Sequence, residues 1–415
     1  MTELGGAPNS GIICNRIIAL DACRSMAIAL AMLSHVFSKF ELLTFIDQNA
    51  AAAIGFALQL ATPTFIILFG SMIEIVYRPR IARGYGYDVT NRLLMRALQC
   101  YLLYVLSVCA LLTSGQVTID YALRCALMMG VTPYTDILKF YAVALTLAPA
   151  LIVVRSKLGL PVLFILIFAV HAAHPLIASV PDAPAVFGHN YLLPLTGFLY
   201  SGRGGVGGPS LLHGISLVAW GMATGRGVSL LLSVCPSERR QGVALIAFMV
   251  VASAGAALAL WDWQTPFQTV RDLADMSLRH ANNPLYFAVG ATAALLCLAA
   301  CLRAFEAMNA NRISGLLVFG RTSLFTFSFG NILLYLAPHV ELAEMTSLAM
   351  SLLFILLITL QSVAFAKLQK VGSTSGIALA FQTFHGVASQ AASDIVAAAA
   401  RRYSFVLGWP RCGPT

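Results

Sequence analysis

Apolar runs close to twenty residues long recur along this chain, separated by short polar turns, and that pattern leaves few folds open. A bilayer's hydrocarbon core, ~30 Å thick, is crossed by ~20 helical residues. Backbone inside lipid must satisfy its own hydrogen bonds, which a helix does and a lone strand does not. Such runs lie near 12–37, 50–76, 93–113, 136–154, 160–179, 210–225, 241–261, 283–304, 314–336 and 345–366. Charged residues are 10% of the chain, where a soluble domain carries roughly 25%. The expected fold is all-α, a polytopic membrane bundle of ten helices in one domain over 1–372. The remainder, 373–415, is a tail whose Ala-rich stretch 374–400 is either an eleventh span or an amphipathic surface helix. Residues 118–133 and 190–202 are apolar but short, and read as re-entrant or interfacial. Residues 201–210 form a glycine-rich loop. The first apolar run continues to about Phe40 with no small-residue cleavage site after it, so this span is expected to stay in the mature protein.

Basic residues set the orientation. Clusters follow the second span (Arg78, Arg80, Arg83, Arg92), the fourth (Arg155, Lys157) and the tenth (Lys367, Lys370). Arg239 and Arg240 precede the seventh span, and Arg303 and Arg312 flank the turn after the eighth. In a ten-span topology all five clusters share one side, which the positive-inside rule makes cytoplasmic, together with both termini. The opposite loops hold Asp47, Asp120, Asp182, Asp262 and Glu344. The net charge of +9 is thus explained by lipid contact and orientation, and no aromatic–basic pattern points to nucleic acid. Nine cysteines are scattered without a CxxC pair, so no disulfide framework is expected. His171 and His174 have the spacing of a metal pair but lack accompanying ligands, and no metal is expected.

The first span, RIIALDACRSMAIALAMLSHVFSKF, contains Asp21, Arg24 and His35. Charge at membrane depth is costly, and it marks a site or pathway inside the bundle. Asp21 and Arg24, three apart, share a helix face. His35 lies eleven residues beyond Arg24, about three turns and about 16 Å along the axis, so the two side chains point the same way. One reading is a structural Asp–Arg pair and an interfacial histidine. The other is a pore-lining helix that holds an anion at Arg24 and a base at His35. Arginine suits phosphate, and histidine suits proton abstraction because its pKa is near neutrality.

This span resembles the opening of the membrane acyltransferase-three superfamily, in which arginine, ten residues and histidine follow one another. Three more stretches are similar to its OpgC branch: TPTFIILFGSMIEIVYRPR at 62–80, YTDILKFYAVALTLAP at 134–149 and FGRTSLFTFSFGNILL at 319–334. The resemblance implies a bacterial inner-membrane enzyme that moves an acyl group, succinyl or acetyl, from cytoplasmic acyl-CoA to a hydroxyl of a periplasmic or surface glycan. No permanently bound cofactor is implied; acyl-CoA is a co-substrate. His35 is then the base and Arg24 lies near the donor. Two departures stand out. Ser25 replaces the usual glycine after the arginine, and Phe327–Asn331 stands where the wider superfamily often has Tyr-x-x-His.

Around this pair, other residues carry two readings each. Asp136 orients His35 or binds a sugar hydroxyl, or else caps the fourth span beside Thr135. Arg321 and Ser323 bind donor phosphate, or Arg321 anchors the cytoplasmic face. Arg96, four residues after Arg92, meets the CoA phosphates or lipid headgroups. On the acceptor side, Tyr141 and His280 face the outer site. Trp220 stacks on a sugar or simply packs. Arg279 is available to a succinyl carboxylate. A proton-coupled transporter or flippase is the competing class, since intramembrane Asp, Arg and His also suit a carrier. No inverted repeat with paired broken helices supports it. Oligomeric state is not legible.

Overall fold

The computed structural model describes residues 17–185, 190–201, 209–306, 317–338, 343–371 and 393–409. Arg312, most of the glycine-rich loop and the tail before residue 393 lie outside the described residues. Among the described residues the regular structure is helical throughout.

Ten helices occupy the ten apolar runs: α1 Ile18–Lys39, α2 Gln48–Ala82, α3 Gly86–Thr113, α4 Asp136–Leu158, α5 Pro161–Ala172, α6 Leu211–Leu231, α7 Pro236–Leu260, α8 Pro284–Glu306, α9 Ser323–Leu336 and α10 Glu344–Val371. Seven of them are long and apolar enough to cross a membrane. The other three explain themselves locally. α5 stops at Ala172 and resumes as His174–Ala178, before Pro175 can take a full helical place. α9 is 14 residues long because a separate turn, Val318–Arg321, precedes it. α6 is rich in glycine and almost wholly buried. The multi-pass helical bundle expected from the sequence is therefore the observed fold. Ile119–Ala126 and Leu193–Leu199 are short helices outside the bundle's long rods. A helix over 393–406 is too short to cross, at about 21 Å, and buries Val396, Ala400 and Ser404 at every fourth position. The described part of the tail is thus a short helix that packs by one face and leaves Ile395, Phe405 and Val406 exposed, and Trp409 at its end packs on Gly86 of α3.

α1 is the hub. It packs against α2, α8, α9 and α10, so its polar residues face protein rather than lipid. α7 and α10 lie at the periphery, with only 11% and 22% of their apolar windows buried. The closest helix pair is α2 with α6. A Cβ on Gly70 would run into the Val218 carbonyl, and one on Gly221 into that of Ile67. Gly221 and Gly225 form a GxxxG pair, and the close approach lets the Ser71 hydroxyl of α2 donate to the Gly221 carbonyl at 2.9 Å.

Below this contact α2 widens into a π turn over Ile73–Tyr77. The turn presents Glu74, 2% exposed, to two arginines. Arg78 meets its Oε1 at 2.9 Å and Arg155 of α4 at 3.0 Å. Two arginines that the sequence assigned to orientation are therefore also an internal ion network. Nearby, Cys297 and Cys301 pack on Cys23 of α1, with the Cys23 and Cys297 sulfurs 3.3 Å apart and free.

Candidate active site

His35 stands near the end of α1 away from the arginine-rich turns. Its Nδ1 lies 2.7 Å from Oδ1 of Asn331 on α9. Asn331 is fully buried, and its amide nitrogen donates to the Phe327 carbonyl one turn back at 2.8 Å. That bond uses the amide donor and leaves the amide oxygen for His35. Nδ1 of His35 therefore carries the hydrogen and donates it, and Nε2 keeps its lone pair. An imidazole held in this tautomer presents the lone pair that a general base needs.

Two rings hold the imidazole plane. Tyr134 stacks on it with centroids 4.8 Å apart, and Phe327 meets it edge-on at 5.6 Å. Tyr134 in turn stacks on Tyr335 at 5.4 Å. The Tyr335 hydroxyl accepts from the Tyr134 amide at 2.9 Å and contacts Thr135, which is linked to Ser107 and Thr132. The loop before α4 is thereby fixed to α3 and α9, and with it the face of His35.

Asp136 opens α4 directly after this loop, and its carboxylate is taken up there rather than by His35. Its Oδ1 accepts from the amide and hydroxyl of Thr132, at 3.0 and 2.9 Å, and lies 3.5 Å from Lys139 Nζ. Lys139 is itself buried, donating to the Gly130 carbonyl at 3.0 Å and lying over the Phe198 ring. Asp136 therefore shapes the loop under Tyr134, and Asn331 is the group that orients the histidine.

The arginine-rich end gathers the residues expected near the donor. Arg24 lies 3.6 Å from Asp21. Ser25 is buried and accepts the Gly320 amide at 2.7 Å. A Cβ at Gly320 would strike the Asp21 carbonyl, so the Gly320–Arg321 turn lies directly on α1 beside Arg24. Ser25 thus does work that a glycine there could not. Arg321 is exposed and Ser323 half-buried. Arg96 is exposed on α3 and joins none of these. A cavity of about 430 Å³ between α2 and α3 is lined by Arg80, Arg83, Arg92 and Tyr85, a positive mouth that the sequence indicated only as orientation charge.

The remaining acceptor residues are dispersed. The Tyr141 hydroxyl donates to the Phe65 carbonyl at 3.0 Å, its ring meets Phe69 edge-on at 5.1 Å, and the Arg24 charge reaches it. His280 ends the short outer helix Ser277–His280. Burial, helped by the Arg279 charge, holds its pKa below the ordinary imidazole value, and Asp275 opposes this. Trp220 does not join His35: it lines a separate cavity between α5, α6, α7 and α8. His213 of α6 brings a third ring to His171 and His174, at 5.8 Å from each. Among the described residues no three ligating side chains are placed to share a metal ion.

A half-buried histidine, oriented by an amide and carried on the central helix of a multi-pass bundle, is an arrangement that a membrane acyltransferase can use. The family described as "Heparan-alpha-glucosaminide N-acetyltransferase, catalytic" matches residues 16–229, just over half of the chain, and the protein belongs to that family. The matched region runs from α1 to the end of α6 and contains Arg24, His35 and the Tyr134 loop. Asn331 lies beyond it. A search of curated proteins gives no match.

Proposed function

We propose that the protein transfers an acyl group from cytoplasmic acyl-CoA to a glycan hydroxyl on the opposite side of a bacterial inner membrane. The observation that carries this reading is the His35–Asn331 pair, which fixes Nε2 of His35 as a proton acceptor. The donor's phosphates lie at the arginine-rich mouth, and its thioester arm runs along α1 past Arg24. Nε2 takes the proton of the acceptor hydroxyl as the oxygen attacks the thioester carbonyl. The tetrahedral intermediate then expels the CoA thiolate, and the imidazolium returns the proton to the sulfur. Much of the rate comes from holding donor and acceptor in line. An acyl-His35 relay uses the same atoms in two steps. The OpgC-like stretches support a periplasmic glucan as acceptor and a succinyl or acetyl group. With a succinyl donor, Arg279 is the candidate partner for its carboxylate.

A second acceptor chemistry has its own support. The matching family is named for N-acetyl transfer to a glucosaminide, and the same base would serve an amine. Radiolabelled acetyl- and succinyl-CoA supplied to inside-out vesicles, with glycan enclosed, separates the readings. Label in glycan released by hydroxylamine at alkaline pH is an ester and supports O-transfer; resistant label is an amide and supports N-transfer. No label in the glycan with either donor would sink both.

A further inference from the structure

The cavity that holds Trp220 is distinct from the His35 site and has a chemistry of its own. It measures about 330 Å³. Its residues come late in α5 and α7 (His171, Leu260) and early in α6 and α8 (Ser216, Pro284). These four helices alternate in direction, so the cavity occupies the half of the bundle away from the arginine-rich end. Phe168, 76% exposed, and Phe248, 57% exposed, stand at its rim. Both lie on apolar helices at the periphery, so what reaches the cavity comes through the hydrocarbon of the outer leaflet. The walls, including Phe164, Phe287, Ala252 and Ala256, are almost entirely apolar.

Four polar side chains, His171, Ser216, Trp220 and Ser253, break that lining, and the Ser253 hydroxyl is used within its own helix. The Ser216 hydroxyl donates to the His213 carbonyl at 2.6 Å, so its oxygen accepts from Nε2 of His171 at 3.0 Å. This puts the His171 hydrogen on Nε2 and leaves Nδ1 as a lone pair. Nδ1 is buried and has no hydrogen-bond partner. The indole N–H of Trp220, a residue 8% exposed, also has none. Two residues of the lining thus carry an unmatched acceptor and an unmatched donor, each costly to leave so. A hydroxyl satisfies both kinds, since it gives one hydrogen and accepts in return.

We infer that this cavity binds an outer-leaflet amphiphile in which a hydroxyl sits beside a single hydrocarbon chain, of the monoacylglycerol type. The chain fills the apolar volume, and the hydroxylated end takes up the free positions on His171 and Trp220. The site lies apart from the transfer chemistry and stands whether or not that reading holds.

The full chain, with Trp261, Trp263 and Trp409 each changed to phenylalanine, keeps Trp220 as its single tryptophan in phosphatidylcholine vesicles. A dibrominated monoacylglycerol should quench Trp220 saturably. His171→Phe should weaken that binding about tenfold, the effect of one lost hydrogen bond, and leave quenching by dibromostearic acid methyl ester unchanged. Ala256→Phe, which closes the mouth, should reduce quenching by the monoacylglycerol to the level seen with the ester. Native mass spectrometry of the unaltered chain gives an independent reading: one monoacylglycerol retained, and none in Ala256→Phe. Unsaturable quenching that Ala256→Phe does not alter, equal behaviour of both probes, or no retained lipid would each overturn the assignment.

Discussion

Replacing His35 by alanine should lower acyl transfer by roughly 10²–10⁴-fold, the range for loss of a positioned general base, with little change in donor KM. The reason for the KM expectation is spatial. In the proposed mechanism the donor's phosphates lie at the other end of α1, about 16 Å away, and the base acts on the acceptor's proton in the transition state. Asn331→Leu tests the geometry separately. It removes the acceptor of the Nδ1 hydrogen, so either ring nitrogen can carry it and the imidazole loses its fixed plane. The expected loss is about tenfold to hundredfold in kcat, with the protein still folded, as one buried hydrogen bond would give. Steady-state transfer rates in vesicles measure both. A His35→Ala protein that transfers at the normal rate removes the histidine from the mechanism. Loss of activity in His35→Ala with full activity in Asn331→Leu keeps the base and discards the orienting role.

The second large effect is on stability. Glu74→Ala leaves Arg155, 5% exposed, buried without its partner, and Arg78 loses the same oxygen. Breaking a buried pair on one side costs about 3–5 kcal/mol, enough to lower the melting temperature by several degrees in any detergent that keeps the native state. The double change Glu74→Leu with Arg155→Met should recover most of that loss, because two apolar side chains remove both the charge and its desolvation. Thermal unfolding followed by tryptophan fluorescence decides it. An unchanged melting temperature in Glu74→Ala would mean that water already screens the pair.

Much of this architecture was legible from local pattern alone. Each of the ten helices falls on an apolar run, because crossing hydrocarbon is a demand on length and composition. The charged face of α1 was legible for the same reason: Arg24 and His35 stand out where lipid would reject them. What pairs across the bundle was not legible. Asn331 is neutral and 296 residues from His35, and within its motif it registered only as a missing histidine. A position that departs from a pattern inside a buried helix was the available signal. Glu74 was hidden by its own partners, since Arg78 and Arg155 already had an explanation in orientation. Trp220 was assigned to the acceptor by residue type, whereas its place depends on how α6 turns against α5 and α7. Asp136 shows the converse: the sequence offered it as a partner of His35 or as a cap, and Lys139 and Thr132, close along the chain, claim its oxygen.

The short helix α9 has one further consequence. Its 14 residues extend about 21 Å, against a hydrocarbon thickness of ~30 Å, so aqueous phase or headgroups must dip toward its ends. Where the bilayer thins to match that helix, the membrane voltage drops over a shorter path. A neutral acetyl group passing along α1 does not feel that field. A succinyl group carries a carboxylate through it, and one elementary charge is worth about 2.3 kcal/mol per 100 mV. If acyl groups move along α1 as proposed, the polarity of the membrane favours or opposes succinyl and leaves acetyl untouched, and the voltage itself selects between them.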